Sequence, residues 1–206
     1  MNSNSELVDR LVERGHIESG KVEEAFRNVD RAVFVPDRYQ DKAYADSPLP
    51  IAEEATISAP HMVATNTELL DVDESSTVVE IGSGSGYQLA ILSQLTEGKV
   101  IGVEIIEELV EKSRERLSER ENVTVFKGSG FEPVEDKLGE REFDRILYSC
   151  AINSLKEARE HLKEDGTAVA PVYGNGAQIL KKLDNGEITE HGPVRFVPFV
   201  ENREDM

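Results

Sequence analysis

Val78-Val79-Glu80-Ile81-Gly82-Ser83-Gly84-Ser85-Gly86-Tyr87 decides the fold. β-branched residues and a carboxylate lead into three glycines spaced two apart, and a helical pattern follows. That order spells a strand, a tight turn and a helix start. Glycines in the turn let the backbone come close to a nucleotide-like ligand. Which ligand lies there sets the function.

The alternation continues outward from this turn. Residues 77–81, 99–104, 122–127 and 143–148 read as strands, and 87–95, 107–120 and 154–162 as helices. In the second helix Leu109, Val110 and Leu117 point inward, and Glu108 pairs with Lys112 on the outer side. Residues 167–172, 177–183 and 194–200 read as three late strands, with Asn185-Gly186 as a turn signal. Upstream, Ser5 and Ser19 are the expected caps of two amphipathic helices, the first ended by Gly15. Between them and Asp71 lies an irregular region with Pro36, Pro48, Pro50 and Pro60, long enough to need a purpose. The expected fold is α/β, with a mostly parallel, doubly wound sheet of seven strands and ligands bound beyond the strands' carboxyl ends. The expected organisation is one domain, with 1–70 as helical cap and substrate segment and 71–206 as cofactor core.

Composition narrows the partners. Among 206 residues, 41 are acidic and 23 basic, for a net charge of -18. A nucleic-acid or anionic-membrane binder needs the opposite sign. Arg outnumbers Lys, Trp is absent and the acid is spread along the chain, which fits a protein adapted to a salty cytoplasm. Cys150 is the only cysteine, so no intrachain disulfide forms and a reducing compartment is implied; its simplest role is a small buried residue. The N-terminal residues lack a signal peptide's apolar core, and no apolar run approaches a membrane span. His16, His61, His161 and His191 are scattered, and no metal constellation appears.

The glycine spacing excludes two nucleotide sites. A P-loop needs Lys then Ser or Thr after its last glycine, and here Tyr87-Gln88 follows. A dinucleotide turn wants G-x-G-x-x-G, and here Gly86 falls one place early. The G-x-G-x-G spacing after Glu80 resembles the first motif of S-adenosylmethionine-dependent methyltransferases, whose class I members have a Rossmann-like fold. Glu104, closing the next strand, is placed to accept from ribose hydroxyls. In Gly128-Ser129-Gly130-Phe131, after the third strand, Phe131 reads equally as an adenine contact or a core residue.

A second stretch is more specific. Asp46-Ser47-Pro48-Leu49-Pro50-Ile51, followed by Thr56-Ile57-Ser58-Ala59-Pro60-His61-Met62-Val63-Ala64, resembles the hallmark segment of protein-L-isoaspartate O-methyltransferases. Tyr87-Gln88, Arg31 with Phe34-Val35-Pro36, and Val194-Arg195-Phe196-Val197-Pro198-Phe199 are similar to the same family. The resemblance implies methylation of the α-carboxyl of L-isoaspartyl residues in damaged proteins, using S-adenosylmethionine. It implies a catalytic Ser58, with Ile57, Ala59, His61 and Val197 holding substrate. It implies cofactor contacts at Gly82, Gly84 and Glu104, with Glu80, Ser83, Gly86, Ser129 and Gly130 completing the shell. Isoaspartyl proteins or peptides are the expected partners of a monomeric enzyme. The chain departs from the family at Ala52, Glu54 and Ala55, where glycines and a glutamine are usual; at Ser129, usually aspartate; and at Ser149-Cys150-Ala151-Ile152-Asn153. These departures carry an alternative: a methyltransferase with another acceptor, or a cofactor-binding but silent paralogue.

Overall fold

The computed structural model describes residues 3–52, 55–174 and 176–201. Seven strands form the main sheet. They are β3 Val78–Ile81, β4 Val100–Glu104, β5 Val123–Lys127, β6 Phe143–Tyr148, β7 Leu162–Tyr173, β8 Gln178–Asp184 and β9 Glu187–Val194. Their spatial order is β5-β4-β3-β6-β7-β8-β9. β3 to β7 run parallel, and β8 and β9 pair antiparallel at one edge. The chain steps outward from β3 to β5, then crosses back to place β6 on the other side of β3. This reversal opens a crevice at the carboxyl end of β3.

β3 is buried on both faces, as a central parallel strand must be. Val78 joins one core, with Leu89, Leu92, Leu109 and Val110 of the helices α4 Tyr87–Leu92 and α5 Glu107–Arg116. Val79 and Ile81 join the other, with Val134 of α6 Glu132–Leu138 and Ala158 of α7 Lys156–Glu160. The N-terminal helices α1 Asn4–Glu13 and α2 Gly20–Asn28 add Leu7, Leu11, Val22 and Phe26 to the first core, capping that face. A two-stranded hairpin, β1 Leu49–Ala52 with β2 Ala55–Ile57, stands apart from the main sheet and leads into α3 Pro60–Leu70. No described helix is long and apolar enough to cross a membrane.

Several boundaries differ from the sequence expectation. Ser3, not Ser5, caps α1 by accepting from the Glu6 amide, while Ser19 caps α2 as expected. The helices expected at 87–95, 107–120 and 154–162 are shorter. The irregular region gives way to α3, because Pro60 occupies a first-turn position where its missing N–H costs nothing. α6 starts in the same way around Pro133. The strand expected at 194–200 lies at Glu187–Val194, in a hairpin turned by Asn185-Gly186. Residues 195–200 instead form an irregular strap. Glu54 lies outside the described residues.

Candidate active site

The turn after β3 is held by its neighbour. The amides of Gly82 and Ser83 both donate to the Val103 carbonyl, so the chain bends over the end of β4. Gly82, Gly84 and Gly86 all adopt positive φ, the last two at 53° and 85°. A methyl group at Gly84 would come within 3.3 Å of Ile51, so the hairpin closes over the turn. At Gly86 it would lie 2.9 Å from Leu117 Cδ1, so this glycine lets α4 approach α5.

A cleft of about 510 Å³ opens beyond the carboxyl ends of β3 to β6. Gly82, Gly84 and Glu104 form its floor, and Ser129, Ser149 and Cys150 its far side. Ala55 and Thr56 of β2 stand on one wall, and Val197 to Val200 of the strap on another. Polar groups are few and convergent within a largely apolar lining, the usual character of a small-molecule site.

Glu104 is 6% exposed. Its Oε2 accepts from the Gly84 amide at 2.8 Å and its Oε1 from the Ile106 amide at 2.9 Å. Burial raises its pKa, and the amides of Ile106, Gly84 and Ile105 oppose that rise. Glu80 lies deeper, behind the cleft. Its Oε1 accepts from the Ser149 hydroxyl at 2.6 Å, while its buried Oε2 has no partner among the described residues. Burial pushes Glu80 up to about 8, with Ser149 pulling it down and Glu104 adding to the rise. A buried carboxyl oxygen without a partner is costly, so a donor supplied by a ligand would suit it. Burial likewise raises the Cys150 thiol, which therefore remains protonated and forms part of the wall.

The remaining expected positions divide. Ser129 lines the cleft, but its hydroxyl donates to the Val200 carbonyl. Ser83 does not line it; its buried hydroxyl faces Gly102. Gly86 and Gly130 also lie off the cleft; a methyl at Gly130 would come within 3.3 Å of Glu157 Oε1. Phe131 is 2% exposed and stacks on His161 at 4.1 Å, which settles its reading as core.

Around Ser58 exposure alternates as in a strand. Thr56 is exposed and lines the cleft, Ile57 is buried, Ser58 is half-buried and Ala59 is buried. Ser58 follows the end of β2, next to the cleft-lining Thr56, but neither it nor Ile57, Ala59 or His61 is among the residues that line the cleft. Its hydroxyl has no hydrogen bond among the described residues. Ile57 and Ala59 turn their side chains inward; Ile57 pairs with Leu49 across the hairpin, and the Ala59 carbonyl accepts from the Met62 and Val63 amides at the start of α3. His61 is held elsewhere: its amide and Nδ1 both meet Asp46 Oδ1, at 3.0 and 2.8 Å, and its ring lies 5.4 Å from His16.

Sequence reasoning missed the fastening of the strap. Gln178 accepts from the Phe196 amide and donates to the Phe196 carbonyl. Ala151 donates to Val197 and accepts from Phe199. With Ser129 these contacts hold residues 196–200 across the cleft. Gln178 is half-buried at the start of β8, paired between β7 and β9, and nothing in its local pattern distinguishes it from an ordinary strand residue.

The comparisons with known proteins agree with this geometry. The chain is 41% identical over 205 residues to the protein-L-isoaspartate O-methyltransferase of Methanopyrus kandleri, covering 94% of this chain and 89% of the relative. It is 42% identical over 206 residues to protein-L-isoaspartate O-methyltransferase 2 of Archaeoglobus fulgidus, covering 94% and 92%. The fold matches the crystal structure of a Plasmodium falciparum protein described as a protein-L-isoaspartate O-methyltransferase, in complex with S-adenosyl-L-homocysteine. That match has a TM-score of 0.86 at 24% identity, covering 98% of this chain and 100% of the other. The family model for protein-L-isoaspartate(D-aspartate) O-methyltransferase matches residues 2–204, and the chain belongs to that family.

Proposed function

We propose that the protein transfers a methyl group from S-adenosylmethionine to the α-carboxyl of L-isoaspartyl residues, the first step in repairing aged proteins. One observation carries this: the glycine turn with Glu104 and the segment leading to Ser58 border the same cleft. Gly82, Gly84 and Glu104 would hold the cofactor. Glu104 presents acceptors for ribose hydroxyls, and Glu80 lies behind them as a buried, protonated carboxyl. The cofactor supplies an electrophilic methyl group on a sulfonium.

The chain's own residues have little proton chemistry to do. An isoaspartyl carboxyl, with a pKa near 4, is already ionised at neutral pH. It needs orientation and exclusion of water rather than a base. The Ser58 hydroxyl can donate to it without adding charge. The backbone beside Ile57 and Ala59 can hold an extended peptide, Val197 narrows the entrance, and His61 braces the start of α3.

The reading includes a monomeric enzyme, and a reducing, salt-rich cytoplasm supported by the single buried cysteine and the charge of -18. Methyl transfer to an isoaspartyl peptide and to its aspartyl twin, in molar salt, tests it. Methyl incorporation only into the isoaspartyl peptide is expected. A second reading rests on the departures at Ala55 and Ser129, both in the cleft wall. It keeps the cofactor and changes the acceptor, so cofactor binding with neither peptide methylated would favour it.

A further inference from the structure

Arg31 is fully buried, yet among the described residues no carboxylate lies within hydrogen-bonding distance of its guanidinium. It sits in the short 3-10 helix Arg31–Phe34. Its Nη1 donates to the Ala43 carbonyl at 2.5 Å, and its Nη2 to the carbonyls of Ser47 and Ser58 at 3.2 and 3.1 Å. The guanidinium carbon lies 6.0 Å from the centre of the Tyr87 ring. A buried cation without a counter-ion carries a desolvation cost of several kcal/mol. The fold meets part of that cost with carbonyl dipoles and an aromatic ring, while the buried Nε has no partner among the described residues. Burial lowers the pKa of Arg31, with Tyr87 and Asp46 opposing.

The partners share no secondary structure. Ala43 closes the second 3-10 helix, Asp37–Lys42; Ser47 precedes β1; Ser58 follows β2; and Tyr87 opens α4 directly after Gly86. A planar fork of five donors can gather several carbonyls that a lysine's single ammonium cannot. On the other side of Ser58, Asp46 accepts the His61 amide and so caps α3, whose own N-cap residue is Ala59. Ser58 is thus fixed between two ties to residues 43–47. Its hydroxyl has no tie among the described residues, so its direction follows from its backbone.

We propose that Arg31 is a positioning residue for the acceptor. It sets the backbone of the Ser58 segment against the helix that follows the glycine turn. This rests on the reading of that segment as the substrate's seat. An acceptor that arrives ionised leaves catalysis dependent on placement, where a displacement of about 1 Å can cost about a hundredfold.

The test compares Arg31→Lys and Arg31→Met in the full chain, in molar salt. Circular dichroism follows folding, calorimetry follows S-adenosylhomocysteine binding, and initial rates are measured with an isoaspartyl peptide at saturating S-adenosylmethionine. The expected result is at least about a tenfold loss of peptide kcat/KM in both variants, with product affinity within about twofold. Lysine should not rescue. An unchanged kcat/KM in a folded variant would overturn the proposal, as would product affinity falling in parallel. Ser58→Ala, run alongside, separates the two ideas. If it is silent while the Arg31 variants lose peptide turnover, the serine's role fails and the positioning of the segment stands. If it loses turnover while they do not, Arg31 alone is excluded. Should neither Arg31 variant fold, amide exchange in the unaltered protein decides. Protection of residues 57–63 without peptide supports the clamp, and protection only with peptide overturns it.

Discussion

The amide of Gly84 donates to Glu104 Oε2 at 2.8 Å, joining the middle glycine of the turn to the carboxylate that ends β4. With Ile106 binding the other oxygen, the protein itself fixes the orientation of this carboxylate. Glu104→Ala should therefore weaken S-adenosylmethionine binding by about ten- to a hundredfold, the range of hydrogen bonds to a charged group. Glu104→Gln should lose affinity as well, since its NH2 would face one of the two backbone N–H groups that the carboxylate accepts. Calorimetry checks this, and unaltered affinity in the alanine variant would remove Glu104 from the cofactor site.

Glu80 makes stability depend on pH in a direction opposite to that of a salt-bridged acid. Its pKa rises from 4.5 to about 8 on folding, so the native state keeps a proton that the unfolded chain releases. The stabilisation is complete below about 4.5 and is lost as pH rises through 8. Urea midpoints should fall across that window. Glu80→Gln should flatten the fall in part, because the raised pKa of Glu104 contributes in the same direction. A slope identical to that of the unaltered protein would assign the proton elsewhere.

The glycines of the turn should separate by function. Gly86→Ala places a methyl 2.9 Å from Leu117 at a φ of 85°, so it should cost stability, about 1–3 kcal/mol, by crowding and strain. Gly84 lines the cleft, and its added methyl would meet Ile51 of the hairpin at 3.3 Å. Gly84→Ala should reduce cofactor affinity out of proportion to its loss in melting temperature. Equal effects on both quantities in the two variants would contradict this division.

Legibility followed burial. β3 and β4 are mostly apolar because both faces are covered, β6 keeps a buried Ile146-Leu147-Tyr148 run after Asp144 and Arg145, and the bounds of all three were readable to within a residue. β9 was not: most of its residues are exposed, so no apolar period marks it. The apolar residues 196–200 drew the expectation of a strand, but their apolar character serves the cleft wall. α3 was hidden by Pro60, although Val63, Ala64, Thr67 and Leu70 carry helical spacing and are all buried. Glu104 and Gly84 were legible because their type and spacing dictate their chemistry. Gln178 and the contacts of Arg31 were not, because they bind backbone carbonyls and amides far away in sequence.

Charge provides the last prediction. At a net charge of -18 the folded chain repels itself, and raising salt from about 0.1 M to 1 M shortens the screening length from about 10 Å to 3 Å. The melting temperature should rise over that interval, by about 2–4 °C for each kcal/mol gained at this chain length. Exposed pairs such as Lys112 with Glu108 lose little in exchange. A melting temperature indifferent to salt would refute the salt-adapted reading.

The strap at 196–200 means that folding and activity can be lost separately in this protein. Every strand of the sheet is complete by Val194, and both cores are built from residues before it apart from Phe199. A chain cut after Val194 would still have its sheet, and spectroscopy or a thermal melt would score it as sound. It would nevertheless lack the Val197 to Val200 wall of the cleft. Solubility screens, truncation libraries and fusions at this end therefore need an activity readout beside the structural one.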